Sequence, residues 1–262
     1  MHPPINTVIE YLHYLFKKGR SYNSINITRS MFSSTLPKID NFCIGKHELV
    51  VKLMRAIYNK NPPKPKYSFF WDVEEVLKFI VDMGPTSDLP IRLLTLKTVF
   101  LIALATHCRI SELAHISRSV IYSSSGARLQ LTSPTKTQFH SSLRQLDIKR
   151  LPQYDCIICP VASIEFYLSL ASKMKIKSNY LFVSYRKPHL AVTPSTIARW
   201  IKTILASAGI DITSFSAHST RGASSSYAIE KGTPIDDVLK TANWRSESTF
   251  TKYYRRSSRP QI

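Results

Sequence analysis

The chain has 262 residues, 44% of them hydrophobic, enough to bury the core of one large domain or two modest ones and too many for a disordered tail. Its 36 Lys and Arg against 17 Asp and Glu leave a net charge of +19, and a folded protein that keeps this much self-repulsion calls for a polyanionic partner, nucleic acid ahead of an anionic membrane. The longest apolar run, TVFLIALA at 98–105, is far short of the roughly 20 residues of a bilayer span, and the start MHPPINTVIEYLHYLFKKG lacks the basic-then-apolar order of a signal peptide, so a soluble intracellular protein is expected, nuclear if its cell is eukaryotic.

INTVIEYLHYLFKKG places Ile5, Val8, Ile9, Leu12 and Leu15 at helical spacing and ends at a glycine, the pattern of an amphipathic helix with a C-cap. SYNSINITRSMFSSTL and GKHELVVKLMRAIYNK predict two more helices, parted by PKIDNFCIG. NPPKPKYS then combines three prolines with two lysines; it cannot continue a helix and marks a linker near residues 61–66. Residues 1–66 carry 11 Lys and Arg against 3 Asp and Glu, net +8, and the remainder carries 25 against 14, net +11, so both parts are expected to face the polyanion.

Beyond the linker, WDVEEVLKFIVDM and LPIRLLTLKTVFLIALATHCRISELAHI read as helical, the second too apolar to lie anywhere but in the core. SVIYS, ARLQLTS and LRQLDIK are short, β-branched or alternating segments parted by SSG and PTKTQFHSS, as in a small antiparallel sheet. Helices resume with CPVASIEFYLSLASKMK and TPSTIARWIKTILASAG, where Thr193 caps, Pro194 takes the first turn and Gly209 closes the end. Three short helices follow, from SAHSTRGASSSYAIEKG through PIDDVLKTAN to SESTFTKYYRR. The fold class expected is mainly α with a small antiparallel β-sheet, an α+β protein.

Cys156 and Cys159 form a C-x-x-C, but neither a second such pair nor an H-x-x-x-H lies nearby, and no thioredoxin-like context surrounds them; they read as ordinary thiols. If the polyanion is DNA and the protein cuts it, phosphodiester chemistry needs positive charge on the non-bridging oxygens, an in-line nucleophile and an acid for the leaving oxygen. The chain shows no Asp/Glu cluster spaced as a Mg²⁺ site, so no metal or other cofactor is expected and the charge must come from arginine.

CRISEL at 108–113, TKT at 135–137, HSTR at 218–221, NW at 243–244 and KYY at 252–254 occur in the order and approximate spacing of the tyrosine recombinases, the class of phage integrases and Cre-like enzymes, which residues 67–262 resemble. GRSYNSINITRSMFSS is similar to part of that family's helical core-binding domain, and PPKPKYSFFWDVEEVLKFI resembles the recombinases of DIRS-type retrotransposons. Each match has a plainer reading. Arg109 and Glu112 could be a helical ion pair, Lys136 a solvated hairpin charge, His218 a core or capping histidine, and Trp244 and Tyr253 ordinary aromatics. Together, six residue types in the right order weigh more than any one of them.

The resemblance implies that residues 1–66 form all or part of a core-binding DNA domain and residues 67–262 the catalytic domain. It implies that Arg109 and Arg221 grip the scissile phosphate, that His218 hydrogen-bonds it and shuttles a proton, and that Trp244 donates its indole N–H. Lys136 would protonate the leaving 5′-oxygen and Glu112 would orient the cluster without touching substrate. Tyr253 would be the nucleophile, forming a 3′-phosphotyrosyl enzyme without metal or ATP. Tyr253 is preferred to Tyr254 because it lies nine residues after Trp244, the family's interval. Double-stranded DNA is the implied partner, clamped between the two domains, with self-association into dimers or tetramers on it and no membrane involved. The short segments before the linker and after Tyr253 leave the completeness of the clamp and the mode of assembly open. Two rivals stand beside this reading: a type IB topoisomerase, and a non-catalytic DNA-binding protein derived from a mobile element.

Overall fold

The computed structural model describes residues 3–135, 143–154, 157–174, 176–244 and 246–256, with the side chains of Tyr154, Thr249, Lys252 and Tyr253 outside the description. The chain divides into two compact units, Met1–Lys66 and Tyr67–Ile262.

In the first unit three helices, α1 (Ile5–Lys17), α2 (Tyr22–Thr35) and α3 (Glu48–Lys60), close around Val8, Leu12, Ile25, Ile44, Val50, Met54 and Ile57. The apolar residues recur every three or four positions, which puts each set on one helical face. Gly19, at φ +75°, ends α1, and the Ser21 hydroxyl accepts from the Ser24 N–H to start α2. Arg29 of α2 donates from Nε and Nη2 to the Gly45 carbonyl, at 2.9 and 2.6 Å, and so ties α2 to the turn that leads into α3.

The second unit holds α4 (Val73–Asp82), α5 (Ile91–Thr106), α6 (Ile110–Ala114), β1 (Ile116–Ser123), β2 (Gly126–Leu131), β3 (Gln145–Lys149), α7 (Pro160–Ser172), α8 (Pro194–Ser207), α9 (Ser219–Glu230), α10 (Ile235–Ala242) and α11 (Glu247–Tyr253). Helices around one small antiparallel sheet, ordered β1-β2-β3, are the architecture expected from the sequence. Alternation sets the buried face of the sheet: Leu129 and Leu131 of β2 and Leu146 and Ile148 of β3 point inward, while Arg128 and Asp147 pair on the outer face. Helix α5 is buried on nearly all sides and packs against α7, α8 and α9. Its one lysine, Lys97, is buried too; its ammonium donates to the Gly84 carbonyl past the end of α4, 2.9 Å away, and burial pushes its pKa down to about 8. Thr193 caps α8 and Gly209, at φ +83°, follows its end, as the sequence predicts.

The stretch 89–116, read from sequence as helical, is interrupted. His107 adopts the left-handed conformation at φ +50°, ending α5, and α6 starts afresh at Ile110. The side chain of His107 makes this turn tolerable: it is buried and its Nδ1 lies 2.8 Å from the Ser224 hydroxyl of α9. No helix among the described residues is long and apolar enough to cross a membrane.

Small residues let α9 enter the core. A Cβ on Gly222 would fall 2.1 Å from Cζ of Phe70, itself fully buried. Gly222→Ala gains up to about 1 kcal/mol in helix propensity, but overpacking a closed core costs about 1–3 kcal/mol. The substitution is therefore expected to lower the thermal unfolding midpoint, and an unchanged or raised midpoint would show that Phe70 moves aside freely.

Candidate active site

The turn at His107 delivers Cys108 and Arg109 to the start of α6, where Arg109 is the N-cap. Glu112, one turn on, accepts from the Arg109 backbone N–H at 2.9 Å through Oε2 and from its Nη1 at 2.7 Å through Oε1. Glu112 is only 4% exposed, whereas Arg109 keeps 25% of its side chain in solvent. Burial alone would raise the Glu112 pKa, but the Arg109 N–H and the charges of Arg144 and Arg109 outweigh it, and the carboxylate is held below its usual range. It is an anion in a site that is otherwise cationic.

Arg144, just before β3, donates from Nη1 to Glu112 Oε2 at 2.8 Å and from Nη2 to the Thr241 carbonyl. Arg221, in the first turn of α9 and 2% exposed, donates from Nη2 to the next carbonyl, that of Ala242, at 2.6 Å. Its Nη1 is buried with no hydrogen-bond partner among the described residues. Burial first, and the Arg109 charge second, lower its pKa to about 10, so the guanidinium remains protonated at neutral pH.

Helix α10 ends at these two carbonyls. Asn243 then takes the left-handed conformation, φ +55° and ψ +50°, and turns the chain so that the Trp244 ring lies over the Arg221 guanidinium, 4.4 Å from Cζ to the ring centroid. Trp244 also packs on buried Phe250 of α11, at 4.8 Å, and on Tyr254, at 4.9 Å.

His218 is the N-cap of α9, with helical backbone angles, and so sits one turn before Arg221. The residues on either side of it are anchored: the Tyr67 hydroxyl lies 2.8 Å from Ser216 Oγ, and the Trp71 indole donates to Ser219 Oγ at 2.9 Å. The Tyr254 ring stands edge-on to His218, centroids 6.4 Å apart. Ser226 of α9 donates to the Tyr254 carbonyl at 2.7 Å and accepts from the Arg256 N–H, which fixes the end of α11 to α9 of the same chain.

The structure thus brings Arg109, Glu112, His218, Arg221 and Trp244 together. Tyr253 is the last residue of α11, and its side chain is not described. Lys136 and Cys156 lie outside the described residues. Cys159 is a buried free thiol, with Sγ 3.3 Å from the Leu151 N–H. Among the described residues no group of three or more His, Cys, Asp and Glu side chains could hold a metal ion.

Sequence reasoning missed Arg144 and His107, and gave Tyr254 no role beyond that of the alternative to Tyr253. Burial, with the positive charges of Arg221 and Arg144 nearby, pushes the His107 pKa down to about 4, so this histidine is neutral and adds no charge to the cluster. Only the left-handed turn it occupies distinguishes it from a helical residue, and a histidine in an apolar run gives no sign of that turn. Arg144 had no local signal at all: its partners are 32 and 97 residues away.

Arginines grouped around a buried guanidinium N–H that has no partner among the described residues, with a histidine one turn away and α11 packed on Trp244, suit an enzyme that handles phosphodiesters by strand breaking and rejoining. The chain belongs to the phage integrase family, whose description matches residues 72–259. In keeping with that membership it is similar in fold to the XerA recombinase, with a TM-score of 0.53 and 17% identity over 95% of this chain and 86% of that one. It is similar also to the XerH site-specific recombinase bound to palindromic difH substrate in a post-cleavage complex, with a TM-score of 0.62 and 14% identity over 94% and 67% of the two chains. A lambda integrase dimer bound to a COC′ core site matches with a TM-score of 0.55 and 12% identity over 99% and 82%. Comparison with curated protein sequences returned no match.

Proposed function

We propose that this protein is a site-specific recombinase that cleaves and rejoins double-stranded DNA through a 3′-phosphotyrosyl intermediate, Tyr253 being the nucleophile. The supporting observation is positive charge in excess of its counter-ion: Arg221 Nη1 is buried with no hydrogen-bond partner among the described residues and feels the Arg109 charge, while Glu112, the carboxylate nearby, is already shared by Arg109 and Arg144. A phosphate placed against Arg221 and the part-exposed Arg109 satisfies both, with the fork geometry that guanidinium offers.

In this reading Arg109 and Arg221 neutralise the non-bridging oxygens, His218 hydrogen-bonds the phosphate and takes the nucleophile's proton, and Trp244 donates its indole N–H. The Tyr253 oxygen bonds to phosphorus, the bond to the 5′-oxygen breaks, and Lys136 gives that oxygen its proton. Attack by a 5′-hydroxyl on the phosphotyrosine reverses the sequence, so the energy of the broken bond is kept for rejoining. Glu112 orients Arg109. Residues 1–66, net +8, act as a core-binding domain that adds phosphate contacts to those of the catalytic unit, and protomers associate on DNA. If its cell is eukaryotic, action on DNA places the protein in the nucleus.

The test is incubation of the protein, in excess EDTA, with nicked suicide duplexes selected for binding from a random-sequence pool, followed by denaturing electrophoresis. A covalent protein–DNA adduct at undiminished yield is expected, because arginine rather than a metal supplies the charge. No adduct on duplexes that bind would refute strand cleavage, and an adduct lost on chelation and restored by Mg²⁺ would refute the arginine-based chemistry.

A further inference from the structure

The roles proposed above leave one arginine of the cluster without a task. We propose that Arg144 is a positioning residue for strand cleavage: a tie that fixes the carboxylate holding Arg109 relative to the end of α10 that presents Trp244. The inference rests on the strand-cleavage reading and deepens it.

Arg144 has one buried guanidinium, its side chain 9% exposed, and it spends the two arms of that group on different elements. Nη1 reaches Glu112 Oε2 of α6, the oxygen that also accepts from the Arg109 N–H, while Oε1 of the same carboxylate holds Arg109 Nη1. Nη2 reaches the Thr241 carbonyl in the last turn of α10. Final helical carbonyls lack intrahelical partners and carry the negative end of the helix dipole. Here the backbone closes only part of that end: the N–H groups of Asn243 and Trp244 go back to the Lys240 and Leu239 carbonyls, at 3.1 and 3.0 Å. The next two carbonyls, of Thr241 and Ala242, are taken by Arg144 and Arg221 respectively. The left-handed turn at Asn243, and with it the position of the Trp244 ring over Arg221, therefore starts from a helix end clamped by two arginines.

The backbone of Arg144 has a second duty. Its carbonyl accepts from the Leu131 N–H at 2.9 Å, closing the β2 and β3 ends from which the connection carrying Lys136 departs. One residue thus joins the foot of that connection, the Glu112–Arg109 pair and the α10 end. The task requires a guanidinium: its planar fork offers donors in fixed, divergent directions, whereas lysine has one nitrogen on a flexible stem. A lysine at 144 keeps the charge and reaches one partner or the other.

Arg144→Lys and Arg144→Ala are compared with the wild-type protein for duplex affinity and for single-turnover adduct formation on a nicked suicide duplex at saturating protein. Wild-type adduct must appear first; its absence would refute the cleavage reading itself, before any variant is compared. Given that adduct, Arg144→Lys is expected to bind DNA within about twofold of wild type and to cleave about 10- to 100-fold more slowly, the scale of loss when reacting groups are misplaced by about 1 Å. Arg144→Ala should lose at least as much. Should the alanine variant fail to fold, as circular dichroism would show, the lysine variant decides. A folded Arg144→Lys protein that cleaves at the wild-type rate, or whose deficit disappears once its weaker DNA binding is saturated, would overturn the proposal. So would a lysine variant that does not fold, since Arg144 would then be a folding contact.

Discussion

Arg221→Ala is expected to slow single-turnover strand cleavage by about 10³-fold or more, the range found when a transition-state guanidinium or preorganised donor is removed from a phosphoryl- or acyl-transfer site. Arg221 is placed for this effect by three restraints: the Ala242 carbonyl on Nη2, the Trp244 ring above Cζ, and burial that leaves it 2% exposed. Its charge survives that burial, since a pKa lowered to about 10 still leaves it protonated at pH 7. A lysine should substitute poorly, because its one nitrogen on a flexible stem lacks the fixed fork that holds the α10 end with one arm and leaves the other for a phosphate oxygen. Duplex affinity should fall far less, since most of the basic surface is untouched. The cause of the defect can be separated from leaving-group protonation with a substrate bearing sulfur at the scissile 5′-bridging position. A thiolate departs without an acid, so Lys136→Ala should recover much of its rate on that substrate. Arg221→Ala should not, because the charge it neutralises lies on the non-bridging oxygens. Equal rescue of both variants, or of neither, would contradict the division of labour between them.

What could be read from the sequence depended on the range of the interaction responsible. Helix ends were legible where the signal is local: Thr193 with Pro194 at the start of α8, Gly209 after its end, Gly19 after α1. The sheet showed itself through alternation in ARLQL and QLDIK, because the two-residue period follows from the pleat. The conjunction of CRISEL, HSTR and NW pointed to Arg109, Glu112, Arg221 and Trp244, which lie in one cluster, and to His218, one helical turn before Arg221. By contrast, the break between α5 and α6 is accompanied by a hydrogen bond between His107 and a serine 117 positions on, which no window of sequence contains. The buried tie at Arg144 looked like one more basic residue in a chain with 36 of them. The same holds for Tyr254: adjacent aromatics read alike in sequence, and only the packing of α11 on α9 puts its ring beside His218 and Trp244.

That packing sharpens the question of which tyrosine forms the bond to DNA. Residues 253 and 254 project about 100° apart around a helix, so a single phosphate site can be served by one of them. Tyr254 uses its ring as a packing surface between His218 and Trp244, and its carbonyl is held by Ser226. Tyr254→Phe keeps that ring and loses only the hydroxyl. Tyr253→Phe removes the oxygen that would bond to phosphorus, and no other change in the site can replace it. The decisive measurement is therefore adduct formation on a nicked suicide duplex by wild type, Tyr253→Phe and Tyr254→Phe side by side, with duplex affinity measured for each. With Tyr253 as the nucleophile, a covalent adduct is expected from wild type and Tyr254→Phe, none from Tyr253→Phe, and nearly equal affinity in all three. An adduct that persists in Tyr253→Phe and vanishes in Tyr254→Phe would contradict that assignment.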